Sequence, residues 1–213
     1  MPSAARTASR VASAPIHWVS RVRTPPYYPD AVTLVPDADI EQVMSCIDLS
    51  DGCSVKDSFA RLDLAAAGFR PLFRAEWLVR KPAEARVASG AQWSELTSSE
   101  ALEEWEAAWA EAPGGSAFFR RELLSDEKIA VLAGYKGGRI VAGGVANRST
   151  EVIGLSNVFD RSGDFESAWA AGAAAATALW GDMPIVGYDS DASLDGAHRA
   201  DFETIGELVV WLK

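Results

Sequence analysis

Two apolar runs, residues 129–135 and 139–145, are separated by nothing but Lys136-Gly137-Gly138, which leaves room only for a tight turn between antiparallel strands. A third run, 151–159, follows a polar turn, and after it comes an Ala-rich amphipathic segment, 165–180, that is too long for a strand. Three consecutive strands followed by a helix depart from a doubly wound parallel sheet, which alternates strand and helix throughout. The chain is thereby directed to a mixed α+β architecture: a mostly antiparallel central sheet flanked by helices.

The rest of the chain extends this order in both directions. Residues 16–22 alternate as a strand does, Pro25, Pro26 and Pro29 hold the following segment extended, and 31–35 is a short β-branched strand. Asp39 is placed to cap a helix whose face is Ile40, Val43, Met44 and Ile47. Residues 56–67 repeat that spacing with Phe59, Leu62 and Ala66 and end at Gly68, so a second helix is expected there, followed by a long strand at 69–79. The small, charged, unpatterned residues 82–89 mark a boundary. Beyond it are expected a strand at 92–96, a helix from Ser98 or Ser99 to Trp109 ended by Pro113-Gly114-Gly115, and a short helix at 118–124. After the helix at 165–180 come a strand at 184–188, a short helix at 194–200 and a last strand at 205–212. The expected organisation is a disordered tail at 1–14, an N-terminal unit at 15–84 and a second domain at 85–213.

Composition removes several classes of function. Thirty Asp and Glu against 20 Lys and Arg give a net charge of -10, a field that repels nucleic-acid phosphates and anionic lipid surfaces, so neither a nucleic-acid nor a membrane partner is expected. The nearly uncharged stretch 167–181 is shorter than the roughly 20 apolar residues that cross a bilayer. Cys46 and Cys53 lack a second pair or a histidine cluster to complete a zinc site, and they read as reduced thiols of a cytoplasmic protein. No phosphate-binding Walker loop, metal-spaced His or Cys set, or nucleophile elbow occurs.

The element order, with Val131-Leu132-Ala133-Gly134-Tyr135-Lys136-Gly137-Gly138-Arg139-Ile140-Val141-Ala142-Gly143-Gly144 as its central hairpin, resembles the GNAT family of N-acetyltransferases from about Arg86 onward. Ala67-Gly68-Phe69 and Ala200-Asp201-Phe202 end similar segments in the two halves, so the N-terminal region looks like a partial second copy of the C-terminal half of that fold. The resemblance implies an acyl-CoA-dependent transfer to a small amine or related small metabolite, with acetyl-CoA as cosubstrate. It also leaves open a degenerate, non-catalytic module that binds a metabolite or a protein.

In that family the splayed end of the fourth strand pairs with pantetheine, which implies Ser156, Asn157, Val158 and Phe159 here. A glycine-rich loop ahead of the next helix holds the pyrophosphate on backbone amides, which implies Arg161, Ser162 and Gly163. That loop has one glycine in place of two, and Asp160, Asp164 and Glu166 flank it, so it reads equally as a self-capped helix start. The family's Tyr ahead of the final Gly-Phe is absent. Its position is Ala197, beside His198, and Tyr188 is the alternative acid. Glu76, a carboxylate in an otherwise aromatic and apolar strand, is the candidate base, with Asp189 and Asp191 as further carboxylates. Each has an ordinary alternative as a solvated side chain.

Overall fold

A computed structural model describes residues 17–25, 28–82, 90–110 and 118–213. The expected tail at 1–14, the Pro113-Gly114-Gly115 break, Pro26 and most of the 82–89 boundary lie outside the described residues. The chain divides into two compact units, one of Met1–Phe73 with Val209–Lys213 and one of Arg74–Leu208.

In the first unit, β1 (His17–Val19) lies antiparallel to β2 (Ala31–Thr33), β2 lies parallel to β3 (Ser54–Asp57), and β3 lies antiparallel to residues 209–212 of the last strand. Helix α1 (Ile40–Met44) starts at the expected cap, where the Asp39 carboxylate accepts the Glu41 amide at 2.8 Å. Val43, Cys53, Val55, Leu64, Phe69 and Trp211 form its core.

The helix expected at 56–67 is absent, because Ser54–Asp57 is a strand and only Ala65–Ala67 makes a single 3-10 turn. The reason is Asp57, a side chain only 1% exposed. Its carboxylate accepts the Leu62 amide at 2.7 Å, the Phe59 amide at 3.2 Å and the Thr33 hydroxyl at 3.1 Å. A buried carboxylate must be satisfied, and it draws the following backbone into a loop around itself rather than into a helix. Of the presumed helical face, Leu62 is buried while Phe59 and Ala66 are exposed.

Gly68 still ends this segment, and it does so as Asp201 ends its counterpart. Both adopt a left-handed backbone, with φ of 84° and 67°. In both turns the following phenylalanine amide reaches back five residues, Phe69 to Leu64 at 3.2 Å and Phe202 to Ala197 at 3.1 Å. The two halves thus share a Schellman-type helix ending that buries a phenylalanine, at 4% and 3% exposure.

In the second unit the sheet order is β10-β4-β9-β8-β7-β6-β5. These strands are β4 (Arg70–Arg80), β5 (Gln92–Glu95), β6 (Ile129–Lys136), β7 (Arg139–Arg148), β8 (Ile153–Asp160), β9 (Ile185–Asp189) and β10 (Glu203–Leu212), the first and last contributing residues 74–80 and 203–208. All the registered pairs are antiparallel except β8 with β9. The hairpin turn is the expected one, with positive φ at both Gly137 and Gly138.

Helix α2 (Ser99–Trp109) is capped by the Ser98 hydroxyl, which accepts the Ala101 amide at 3.2 Å. It drives Trp105 onto β6 and β7, where the indole Nε1–H donates to the Leu132 carbonyl of β6 at 2.8 Å. Gly143 lies beneath that ring, and a Cβ there would stand 2.2 Å from the indole nitrogen. Helix α3 (Phe165–Trp180) covers the other face with Ala168, Trp169, Ala173 and Ala176, and α4 (Asp191–Arg199) packs on α3 through Gly196 against Phe165. The short helix expected at 118–124 is a 3-10 turn at Arg121–Ser125.

Candidate active site

Parallel strands β8 and β9 are paired only at their beginnings, Ile153 with Ile185 and Gly154 with Val186. Gly187 still touches the Leu155 carbonyl, because a Cβ there would stand 2.6 Å from that oxygen. Beyond this point no register pair joins the two strands among the described residues, and a gap opens between their C-terminal halves.

A bulge marks the same stretch of β8. Gly143 pairs with Phe159 and Val145 with Ser156, so Gly144 alone faces both Asn157 and Val158. Asn157 carries the bulge at φ 52°, a left-handed conformation that Asn tolerates better than most residues. Its exposed Nδ2 donates to Ser156 Oγ at 3.2 Å, and Ser156 Oγ donates to the Val145 carbonyl at 3.4 Å. Val158 is buried, and Phe159 meets the edge of Trp105 at 5.3 Å. Val158 and Phe159 are therefore packing side chains, and what this strand offers a ligand is its backbone and the polar pair Ser156 and Asn157.

The loop that follows is closed on itself. One carboxylate oxygen of Asp160 accepts the Ser162 amide at 2.7 Å, the Ser162 hydroxyl at 2.5 Å and the Asp164 amide at 3.2 Å. The Gly163 amide donates to the Asp160 carbonyl at 3.1 Å, and the Arg161 amide donates to Val141 across the sheet at 2.9 Å. Asp164 caps α3 by accepting the Ser167 amide at 3.1 Å, and the hydrogen bonds from Ser167 hold its carboxyl below the usual range. Glu166 is engaged by Arg199 at 3.2 Å. The residue that fills the amide nest is thus Asp160, while Asp164 and Glu166 serve the helix.

Beside this loop is a cavity of about 340 Å³, lined by Trp93, Lys136, Arg161, Ser162 and Asp164 among others. Lys136 reads in the sequence only as a turn residue, and its place beside Arg161 follows from the hairpin folding over α3.

Glu76 and Tyr188 lie on neighbouring strands but on opposite faces. Glu76 is registered with Asp189 and Trp77 with Tyr188, and cross-strand partners share a face. Tyr188 meets Trp77 edge-on at 5.2 Å, and burial followed by the charge of Asp189 pushes its phenol up. Asp189 faces α4, where its carboxylate accepts the Ser193 hydroxyl at 2.6 Å and the Ser190 amide at 2.9 Å. Burial pushes that carboxyl up despite these bonds. Glu76 lines a second cavity of about 240 Å³ with Arg74, Asp191 and Glu207. It accepts the Thr204 hydroxyl, and His198 Nε2 lies 2.9 Å from the same hydroxyl. Sequence spacing shows Glu76 and His198 separately. Nothing in it signals Thr204, which β10 brings to Glu76 from 128 residues away.

No protein-family model matches the sequence, and comparison with curated proteins finds no relative. Solved structures do match. A GCN5-related N-acetyltransferase from Kribbella flavida superposes with a TM-score of 0.61 at 16% identity, over 86% of this chain and 80% of its own. A conserved protein of unknown function from Staphylococcus epidermidis superposes at 0.62 with 14% identity, over 81% and 75%. A GCN5-related N-acetyltransferase from Sphaerobacter thermophilus superposes at 0.51 with 14% identity, over 82% of this chain and 64% of its own. With the antiparallel meander, the crossover helix, the bulged fourth strand of the domain and the gap beside it, these likenesses establish that the chain has the GNAT, or GCN5-related N-acetyltransferase, fold.

Proposed function

We propose that this protein is an acyl-CoA-dependent N-acetyltransferase acting on a small amine. The observation that carries the reading is the gap between β8 and β9, opening after two residue pairs and flanked by the Asn157 bulge. A pantetheine arm is an extended amide chain, and a strand edge that has parted from its neighbour is its natural complement. The phosphates would lie toward Arg161, Ser162 and Gly163, with Lys136 and Arg161 as the nearby cations.

In the reaction the amine nitrogen bonds to the thioester carbonyl carbon, the C–S bond breaks, and sulfur leaves with the electron pair. Glu76 takes the proton that the ammonium must lose before attack. Tyr188 lies on the opposite face of the β4–β9 pair from Glu76, so the departing thiolate takes its proton from water rather than from that phenol. The reading places the protein in the cytoplasm, with Cys46 and Cys53 as free thiols.

One observation favours a second reading, a non-catalytic module of the same fold: each amide from Arg161 to Asp164 already has an acceptor within the chain. The experiment that separates the two is thermal unfolding with and without acetyl-CoA, since a ligand of the native state must stabilise it. A raised melting temperature supports the enzyme, and no shift at millimolar acetyl-CoA removes it.

A further inference from the structure

Thr204, at the start of β10, touches two groups, and its chemistry orders them. A threonine hydroxyl has one proton to give. That proton goes to Glu76 Oε2, because an ionised carboxylate only accepts. The Thr204 oxygen therefore accepts from its other neighbour, His198 Nε2 at 2.9 Å, so this ring nitrogen carries a proton. The result is a directed chain, His198 N–H to Thr204 O–H to Glu76 carboxylate, in which each bond polarises the next.

The chain ends at the cavity of about 240 Å³ lined by Arg74, Glu76, Ser190, Asp191, Leu194 and Glu207. Asp189 on β9, registered with Glu76, adds another carboxylate to the same face. Around His198 stand Asp195 and Arg199 on its own helix, Asp201 in the turn and Glu203 on β10, with Arg199 engaged by Glu166.

We propose that Thr204 and His198 are positioning residues for Glu76, a role that rests on the N-acetyltransferase reading above. Thr204 ties down Oε2 and turns Oε1 toward the cavity, where it receives the proton of the ammonium acceptor. His198 keeps the Thr204 proton pointed at Glu76 by occupying the lone pair on its other side. The amine N–H bond breaks as the Glu76 O–H bond forms, and the electron pair stays on nitrogen for attack.

The test uses the full-length protein, acetyl-CoA and a panel of primary amines, with Thr204→Val and Thr204→Ser as the variants. Thr204 is exposed, so both are expected to fold, and melting temperature checks this. Thr204→Val should lower kcat about ten- to a hundredfold, the worth of one hydrogen bond to a charged group, with KM for acetyl-CoA unchanged. Thr204→Ser should restore it. In parallel, the chain has two histidines, so ¹⁵N spectra of a His17→Gln background report His198 alone. Its neutral ring should carry the proton on Nε2, and Thr204→Val should move the Nε2 resonance as its hydrogen bond is lost. A wild-type kcat in Thr204→Val, or a neutral His198 protonated on Nδ1, overturns the positioning role while leaving the enzyme reading intact. A wild type that neither binds acetyl-CoA nor acetylates any amine overturns the reading beneath it, and the role falls with it.

Discussion

Asp160 and Ser162 are bound to each other twice, by the Ser162 amide at 2.7 Å and by its hydroxyl at 2.5 Å, so that the loop ahead of α3 encloses one of its own anions. A phosphate entering this loop meets a tethered carboxylate whose effective concentration is high because only two residues separate it from the amides. On the acyl-CoA reading proposed above, what a pyrophosphate would have to overcome here is local competition rather than a missing helix start.

Replacing that anion is the first test. Asp160→Ala should free the amides of Ser162 and Asp164 and raise CoA affinity about two- to fivefold, the effect of one charge at a helix terminus. It should also lower stability by about 1 kcal/mol through the lost loop bonds. Asp164→Ala should cost about 1 kcal/mol as the α3 cap is lost and give no comparable gain, because Asp164 bonds the Ser167 amide. Titration calorimetry on the three proteins decides. Equal affinities in wild type and Asp160→Ala would mean that the carboxylate yields to phosphate without hindrance.

The place of β4 gives a second test. Residues 74–80 stand between β9 and β10 in the second unit, with Leu78 buried in the α3 core. A fragment of residues 85–213 would lack this central strand, leave β9 unpaired on one side and open the core at Leu78. It should be recovered as aggregate or as an expanded species without a cooperative melt. A fragment starting at residue 69 retains the strand and should recover cooperative unfolding to a larger extent. A soluble, cooperatively melting 85–213 fragment would show that β4 is dispensable.

Lys56 provides a dependence on pH. It lies on β3 across from Val32 and Val210, and burial pushes its ammonium down to about 8 from the ordinary 10.5. The folded protein then binds fewer protons than the unfolded chain between those values, so stability is flat below about 8 and rises with pH up to 10.5. The gain is about 1 to 3 kcal/mol. Lys56→Met should remove the rise and be more stable than wild type at neutral pH. Urea midpoints at neutral pH and midway through that window check both. A wild type whose midpoint is constant across the window would place the ammonium in water.

What was legible in the sequence was local. The Lys136-Gly137-Gly138 turn with its two positive φ values, the caps Asp39, Ser98 and Asp164, and α3 at 165–180 all depend on interactions within a few residues. The loop anion was half legible: the density of carboxylates around Gly163 is plain, yet which of them reaches the amides depends on how Asp160 leaves β8. The helix expected at 56–67 fails for the same kind of reason. Its spacing of Phe59 and Leu62 suits a helix, and only the burial of Asp57 against Thr33, 24 residues away, draws it into a loop.

From residue 92 onward the sequence by itself determined the order of strands and helices, because hydrophobic period, turn glycines and caps act over one or two turns of chain. Tertiary structure alone decided the site: the β8–β9 gap, the bulge at Asn157, the seat of β4 beside β9, and the meeting of Glu76, Thr204 and His198. Strand pairing of this kind is a long-range choice, settled by which edges remain unpaired once α3 and α4 have covered one face of the sheet, and no local pattern in the chain records it.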